Sequence, residues 1–440
     1  MTGTAAQPER AVARVMRQVT RDRLAAAVCG IVDIASPTGA EAPVAGWIAA
    51  HLAKAGVTAR VQHLDDLQAN AVGVLPGPDD GPSILLYAPL DTFTVGDAAH
   101  DLPWAAPELR SDLLPRASVH GDLVQGLGAG NPKGHAACVL VALTALAEAG
   151  VEVSGDVVAG FGAGGMPSFA VDGVGVPGRR NTGHGAGAGF LLERGFSTDY
   201  AVIAKPGWAV SHEEVGLVWL DVLVPGIHTY AGSRHRLPYR NAVALAGTVA
   251  EHLEAWLADY AERHEHETMR PQGIVSSITG GFERLAASTP ALVRLRLDVR
   301  LTTEQTPAGV TREVRAEVRR LADRLGAALR VEQVAAIPAS RTPPESPVVR
   351  AAVAAWEAVA GVPHEPILAN SGATDANILR MRGVPTARVG MPKVTAAPGG
   401  GPVDFALGMN LVDLTHMYRL VEVLVRTVLG IRAAAQREAG

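Results

Sequence analysis

Between residues 71 and 204 this chain alternates short apolar runs with helical stretches, and that alternation constrains the fold more than any other feature. Residues 71–75 and 83–88 read as strands with a Pro/Gly/Asp turn between them. A Gly-rich turn at 126–134 leads into a strongly apolar helix at 136–149, and buried-type strands follow at 156–161 and 200–204. Apolar strands separated by helices must be covered on both faces, so the sequence predicts an α/β domain whose sheet is flanked by helices. Upstream, residues 10–55 read as two helices split by the breaker Ser36-Pro37-Thr38-Gly39, the second carrying Val44, Trp47, Ile48 and Leu52 at helical spacing.

After about residue 209 the pattern changes. A strand at 217–224, an amphipathic helix at 241–262, a strand at 292–301 and a charged helix at 307–325 read as a small α+β module. The expected organisation is one α/β domain over 1–209 and 333–440, with the module inserted at 210–332. Residues 160–189 hold eleven glycines and include Arg179, Arg180 and His184. A loop of that length beside a cleft reads as a lid or as a segment without fixed order.

Composition narrows the function classes. The 39 Lys and Arg against 44 Asp and Glu give a net charge of −5, no footprint for nucleic acid or an anionic membrane. With 48 % hydrophobic residues the chain can bury a sizeable core. Only Cys29 and Cys138 are present, which excludes a disulfide scaffold and a Cys-rich zinc site, and both read as core residues. Charged residues from Glu9 to Arg23 interrupt any signal-peptide core, and the longest apolar stretches, 136–146 and 420–431, are too short or too charged to span a bilayer. A soluble, cytoplasmic protein is expected.

Several segments together resemble the family of acetylornithine deacetylase, succinyl-diaminopimelate desuccinylase, aminoacylase and glutamate carboxypeptidase, which are co-catalytic zinc hydrolases. They are 34–41 (IASPTGAE), 85–92 (LLYAPLDT), Trp104, 126–134 (GLGAGNPKG), 200–206 (YAVIAKP) and 216–220. Asn241-Ala242-Val243, Asp298-Val299-Arg300, 371–375 (SGATD) and Gly383-Val384-Pro385 continue the series in order along the chain. The resemblance implies a helix-flanked mixed sheet of zinc-exopeptidase type, with the inserted module serving as lid and homodimer contact.

What the resemblance implies chemically is not what the residues supply. Such enzymes hold two zinc ions with a His, a bridging Asp, a Glu, a further acid and a C-terminal His, beside a Glu that acts as base. Here Pro89 stands at the first His, Asn131 at the bridging Asp, Gly164-Gly165-Met166 at the Glu pair and Lys205 at the further acid. The last His should fall near Val403, and none occurs between Glu365 and Asn410. Zinc needs three or four N, O or S donors at about 2.0–2.3 Å, so the sequence predicts no metal and no cofactor.

The remaining polar residues carry the candidate site. Lys205 reads as an ammonium in the vacated metal pocket, paired with Asp91 and offering fixed positive charge to an oxyanion. It reads alternatively as a base or nucleophile, or as a salt bridge that only fills the space. Asn131 and Lys133 lie on a turn that opens a helix, where backbone N–H groups favour an anion. His135, in the first helical turn, reads as a cap or a surface residue. Tyr230 stands where family members resembling this chain place a His that stabilises the oxyanion across the dimer, and His228 shares its strand face if the segment is extended. Asn241 matches a family Asn but also reads as an N-cap. The loop with Ser371, Gly372, Thr374 and Asp375 resembles the family's substrate-carboxylate loop, or is a helix cap.

Two function classes follow. One is a metal-independent enzyme acting on a C–N bond, amide or N-acyl, of a small carboxylate-bearing molecule, with Asp91, Lys205, Tyr230 and His228 catalytic. In it Asn131, Asn241, Ser371, Gly372, Thr374 and Asp375 bind substrate. The other is a non-catalytic homologue that binds a small ligand or partner in the same cleft.

Overall fold

The strand Ile84–Pro89 is buried along its whole length because both of its faces are covered. Its side chains alternate: Ile84, Leu86 and Ala88 join the main core cluster, while Leu85 and Tyr87 approach Gly160 on the other face. In the computed structural model, which describes residues 6–78, 80–170, 179 and 182–439, this strand lies inside a six-stranded mixed sheet. The order is Thr58–His63, Ala69–Leu75, Val157–Gly162, Ile84–Pro89, Tyr200–Ala204, Thr386–Val389. The first two pairings are antiparallel and the last three parallel, so the parallel strands open their C-terminal ends along one edge.

The helix Lys133–Ala149 packs against four of these strands. All but two of its 17 residues are buried, so its apolar sequence is continuous rather than striped. It stops at Gly150, in the left-handed region at φ +58°. The helices Ala42–Lys54 and Pro347–Ala360 also contact the sheet, and the long helix Leu414–Ala439 packs on Lys133–Ala149. Residues 10–55 form three helices rather than the expected two, because Thr20 caps a new start at Arg21–Val32 by accepting from the Arg23 N–H. Cys138 is fully buried and Cys29 partly so.

The chain divides into two units. The first holds the six-stranded sheet and comprises the residues up to 212, 342–366, and 374 onward. The second comprises residues 213–341 and 367–373. It is built on an antiparallel sheet in the order Gly273–Gly280, Leu292–Leu301, Gly216–Pro225, Arg330–Ile337. The helices Ala242–Arg263 and Pro307–Leu325 pack on that sheet. Because Arg330–Ile337 pairs with Gly216–Pro225, this unit reaches past residue 332. Leu292–Leu301 alternates buried and less buried residues, the signature of a sheet covered on one face. The buried Asp221 on the neighbouring strand is held by Arg296 at 2.8 and 2.9 Å. Arg300 forms an ion pair with Asp298 at 2.7 Å.

The helix Lys133–Ala149 should therefore be the most sensitive element of the first unit. Leu140→Ala is expected to cost about 2–5 kcal/mol, read as a clear fall in the thermal unfolding midpoint; an unchanged midpoint would contradict the packing described.

Candidate active site

The site lies at the C-terminal ends of the parallel strands, where loops from several strands meet. Asp91, two residues beyond the strand Ile84–Pro89, is fully buried. Its carboxylate accepts from the Gly165 N–H at 2.7 Å, the Met166 N–H at 3.0 Å and the Thr38 hydroxyl at 2.7 Å. Burial raises its pKa above the usual carboxylate value, while the Thr38 hydroxyl, the backbone N–H groups and the charge of Lys205 work in the opposite direction.

Glu41 sits beside it, also fully buried. One carboxyl oxygen accepts from the Gly39 and Gly164 N–H groups, both at 2.9 Å, and the other has no partner. Burial, reinforced by the charge of Asp91, raises Glu41 from 4.5 to about 8. Successive peptide N–H groups, Gly164 and Gly165, thus serve two neighbouring carboxyls, Glu41 and Asp91.

Gly165 can do this because it lacks a side chain. A Cβ there would lie 2.3 Å from the Pro89 ring and 2.6 Å from Asp375 Oδ2. Asp375 is itself buried and accepts the Tyr87 hydroxyl at 2.6 Å. Burial pushes the Tyr87 phenol well above its ordinary range, so it remains a donor.

Lys205 follows the strand Tyr200–Ala204 and is only 5 % exposed. Its Nζ donates to Asn131 Oδ1 at 3.4 Å. Asn131 is fixed by its own N–H to the Met409 carbonyl at 2.9 Å, and its Nδ2 reaches Met409 Sδ at 3.5 Å. Asn131 lines two cavities, one of about 160 Å³ beside Phe93, Trp104 and Phe405, the other of about 440 Å³ bounded by Pro206, Met391 and Val403. Trp104 is 84 % exposed at the smaller one.

Lys133 departs from the turn role expected of it. It is fully buried and donates from Nζ to the Ile34 carbonyl at 2.7 Å, and burial lowers it to about 7. His135 is neither a surface residue nor a cap: it is 2 % exposed and lines the 440 Å³ cavity. Its position in a helix with no polar face was the signal in the sequence that it would be buried.

The other candidates divide between the units. Asp91, Asn131, Lys205, Thr374 and Asp375 belong to the first. Tyr230, His228, Asn241, Ser371 and Gly372 belong to the second. Asn241 caps the helix Ala242–Arg263 by accepting from the Val243 N–H at 3.0 Å, the capping alternative. Tyr230 is exposed, and His228 Nδ1 meets the Thr289 carbonyl at 2.8 Å. The Ser371 hydroxyl donates to the Arg270 carbonyl and accepts from Gln272, and the Gly372 N–H donates to Asn370 Oδ1. Thr374 Oγ1 accepts from the Ala376 N–H at 3.2 Å. On the Gly-rich loop, Arg179 donates to the Gly39 carbonyl and to Asp65, and the His184 N–H donates to the Met166 carbonyl. Arg180 lies outside the described residues.

A zinc pair does not fit this donor set. Pro89 and Gly165 offer no side-chain donor, Lys205 brings a cation, and Asp91 spends its lone pairs on N–H and O–H groups. Among the described residues no three His, Cys, Asp or Glu side chains group so as to hold a metal ion. No helix among them is long and apolar enough to cross a membrane.

The pairing of Glu41 with Asp91 has a measurable consequence. The folded chain keeps a proton on Glu41 that the unfolded chain has lost above pH 4.5, so this group subtracts stability as pH rises from there to about 8. Glu41→Gln is expected to flatten the fall in melting temperature between pH 5 and pH 8; parallel profiles for the two proteins would contradict it.

No family model matches the chain. Solved structures match along nearly all of it. Human carnosine dipeptidase 1 superposes with a TM-score of 0.69 at 14 % identity, covering 97 % of this chain and 99 % of that one. The dipeptidase Dug1p of Saccharomyces cerevisiae gives 0.68 at 11 %, covering 96 % and 98 %. The M20 family metallo-carboxypeptidase Sso-CP2 of Sulfolobus solfataricus gives 0.66 at 13 %, covering 93 % and 99 %. The fold of this chain is that of the M20 family peptidases.

Proposed function

We propose that the chain is a metal-independent hydrolase or acyl-transfer enzyme that acts on the C–N bond of a small, carboxylate-bearing amide. The observation that carries this is the buried Lys205 ammonium held at 3.4 Å from Asn131, at places where the resemblance calls for metal ligands. A fixed cation in a site shielded from water stabilises negative charge developing on a carbonyl oxygen, and it needs no reorganisation to do so. The solved structures that share the fold include two dipeptidases, whose substrates have this chemistry. In this reading Asp91 holds the strand ends and the field around Lys205 in place. Tyr230 and His228 act from the second unit on a homodimer, with Asn241 and the 371–375 loop receiving the substrate. The two cysteines fit a reduced, cytoplasmic setting.

One observation favours a second reading, a non-catalytic binder in the same cleft. Asp91 is closed in by three donors and Glu41 is protonated near neutral pH, so neither is placed to activate water.

Metal content by plasma mass spectrometry on untagged, chelator-free protein is expected to stay below about a tenth of an equivalent, since a working zinc site is near full occupancy. One or two equivalents removable by chelator would overturn metal independence. Lys205→Met is expected to lower kcat/KM for dipeptides or N-acetyl amino acids by about 100-fold or more. Its melting temperature should fall only modestly, because the buried Asp91 loses a nearby positive charge but keeps its three hydrogen-bond donors. A ligand-induced thermal shift that Lys205→Met abolishes, without turnover in either protein, would select the binder. Unaltered turnover in the variant would end the charge-replacement idea.

A further inference from the structure

The two most exposed large hydrophobic side chains among the described residues, Trp104 at 84 % and Phe405 at 78 %, stand at the same cavity, that of about 160 Å³. Phe93 joins them there and is also exposed. Aromatic residues make up only 4 % of the chain, so three gathered at one opening are not the scatter of single apolar residues that any surface carries. Three separate segments hold them. The Thr92 N–H donates to the Ser36 carbonyl at 2.9 Å and its hydroxyl to the Thr94 carbonyl at 2.8 Å, bracketing Phe93. Asp101 accepts from the Val95 and Gly96 N–H groups at 3.0 and 2.7 Å, which closes the loop leading to Trp104. Asp404, just before Phe405, accepts from the Leu407 N–H at 2.7 Å and from Arg110 at 3.0 Å. The walls are therefore set before anything binds.

Among the described residues no charged side chain lines this cavity, and its two amides are turned to the chain itself. Asn410 accepts from the Gly128 N–H at 2.8 Å and donates to Asp112 at 3.1 Å. Asn131 Oδ1 accepts from Lys205, and its Nδ2 reaches Met409 Sδ. What is left for a guest is apolar surface with aromatic faces. An apolar cavity of about 150 Å³ takes up benzene, so one ring matches the space here. A ring set among three others also gains edge-to-face and offset contacts that an aliphatic group cannot make.

We infer that this cavity is a subsite for a single aromatic ring, and that the substrate is an amide carrying a phenyl side group. Asn131 is the link, since it lines the cavity and meets Lys205 Nζ at 3.4 Å, so a ring held here leaves its attached amide beside Asn131. The inference rests on the reading that a small carboxylate-bearing amide is acted on at Lys205 and Asn131, and it adds the class: an N-acylated aromatic amino acid or a dipeptide containing one.

N-acetyl-L-phenylalanine and N-acetyl-L-alanine would be compared by calorimetry, and by kcat/KM where turnover occurs. The wild-type chain should prefer the phenylalanine compound by at least about tenfold. Trp104→Ala and Phe405→Ala should each shrink that preference by about fivefold or more. Both side chains are exposed, so the melting temperature of either variant should stay within about 2 °C of wild type. Trp104→Phe, which keeps a ring, should retain the preference within a few-fold. Equal binding of the two compounds by the wild-type chain overturns this inference and leaves the amide reading standing. A preference that neither alanine variant reduces places the ring elsewhere and also overturns it. An oligomer that both alanine variants dissociate, without any preference for the phenylalanine compound, assigns the three aromatics to a contact between copies instead. If neither compound binds the wild-type chain, both readings fall.

Discussion

A carboxylate taken out of water must be met by donors or it unfolds what surrounds it, and in this chain that carboxylate is Asp91. Its partners come from two loops, Thr38 from one and Gly165 with Met166 from the other. Satisfying one charge therefore fixes the turn after Val157–Gly162, the turn after Ile84–Pro89 and the loop before Ala42–Lys54 relative to each other. The second carboxyl, Glu41, shares the Gly-Gly turn, and the nearness of Asp91 adds to burial in raising it. Everything described at the strand ends is arranged around this pair.

Lys205 belongs to the same field. Held by Asn131 and sheltered from solvent, it places a basic amine at the strand ends. The larger cavity that Asn131 lines is walled largely by methionine, valine and proline.

Much of the fold was legible in the sequence. The strand Tyr200–Ala204, the strand Leu292–Leu301 and the helix Pro307–Leu325 have the expected limits, since each is bounded by strong punctuation such as Thr306-Pro307 and Gly326. The strands Thr58–His63 and Gly273–Gly280 escaped notice because they are edge strands with many exposed residues, and pairing rather than side-chain pattern defines them. At the site, the identities of Pro89, Asn131 and Lys205 were readable from order along the chain. The burial of His135 and Lys133 escaped notice, although the continuously apolar helix around them pointed to it, because polar residues at the start of a helix ordinarily face water. Glu41 closes the segment 34–41, but it was missed because nothing in that segment shows that its neighbour in space is Asp91, fifty residues away in sequence.

The missing side chain at Gly165 governs how closely the strand ends can approach. Its space is occupied by the Pro89 ring and by Asp375, which Tyr87 in turn fixes. A side chain placed there meets a rigid ring on one side and a carboxylate already held by a phenol on the other, so neither neighbour can give way alone. Segments nearly three hundred residues apart in sequence therefore meet only because one carbon atom is absent between them.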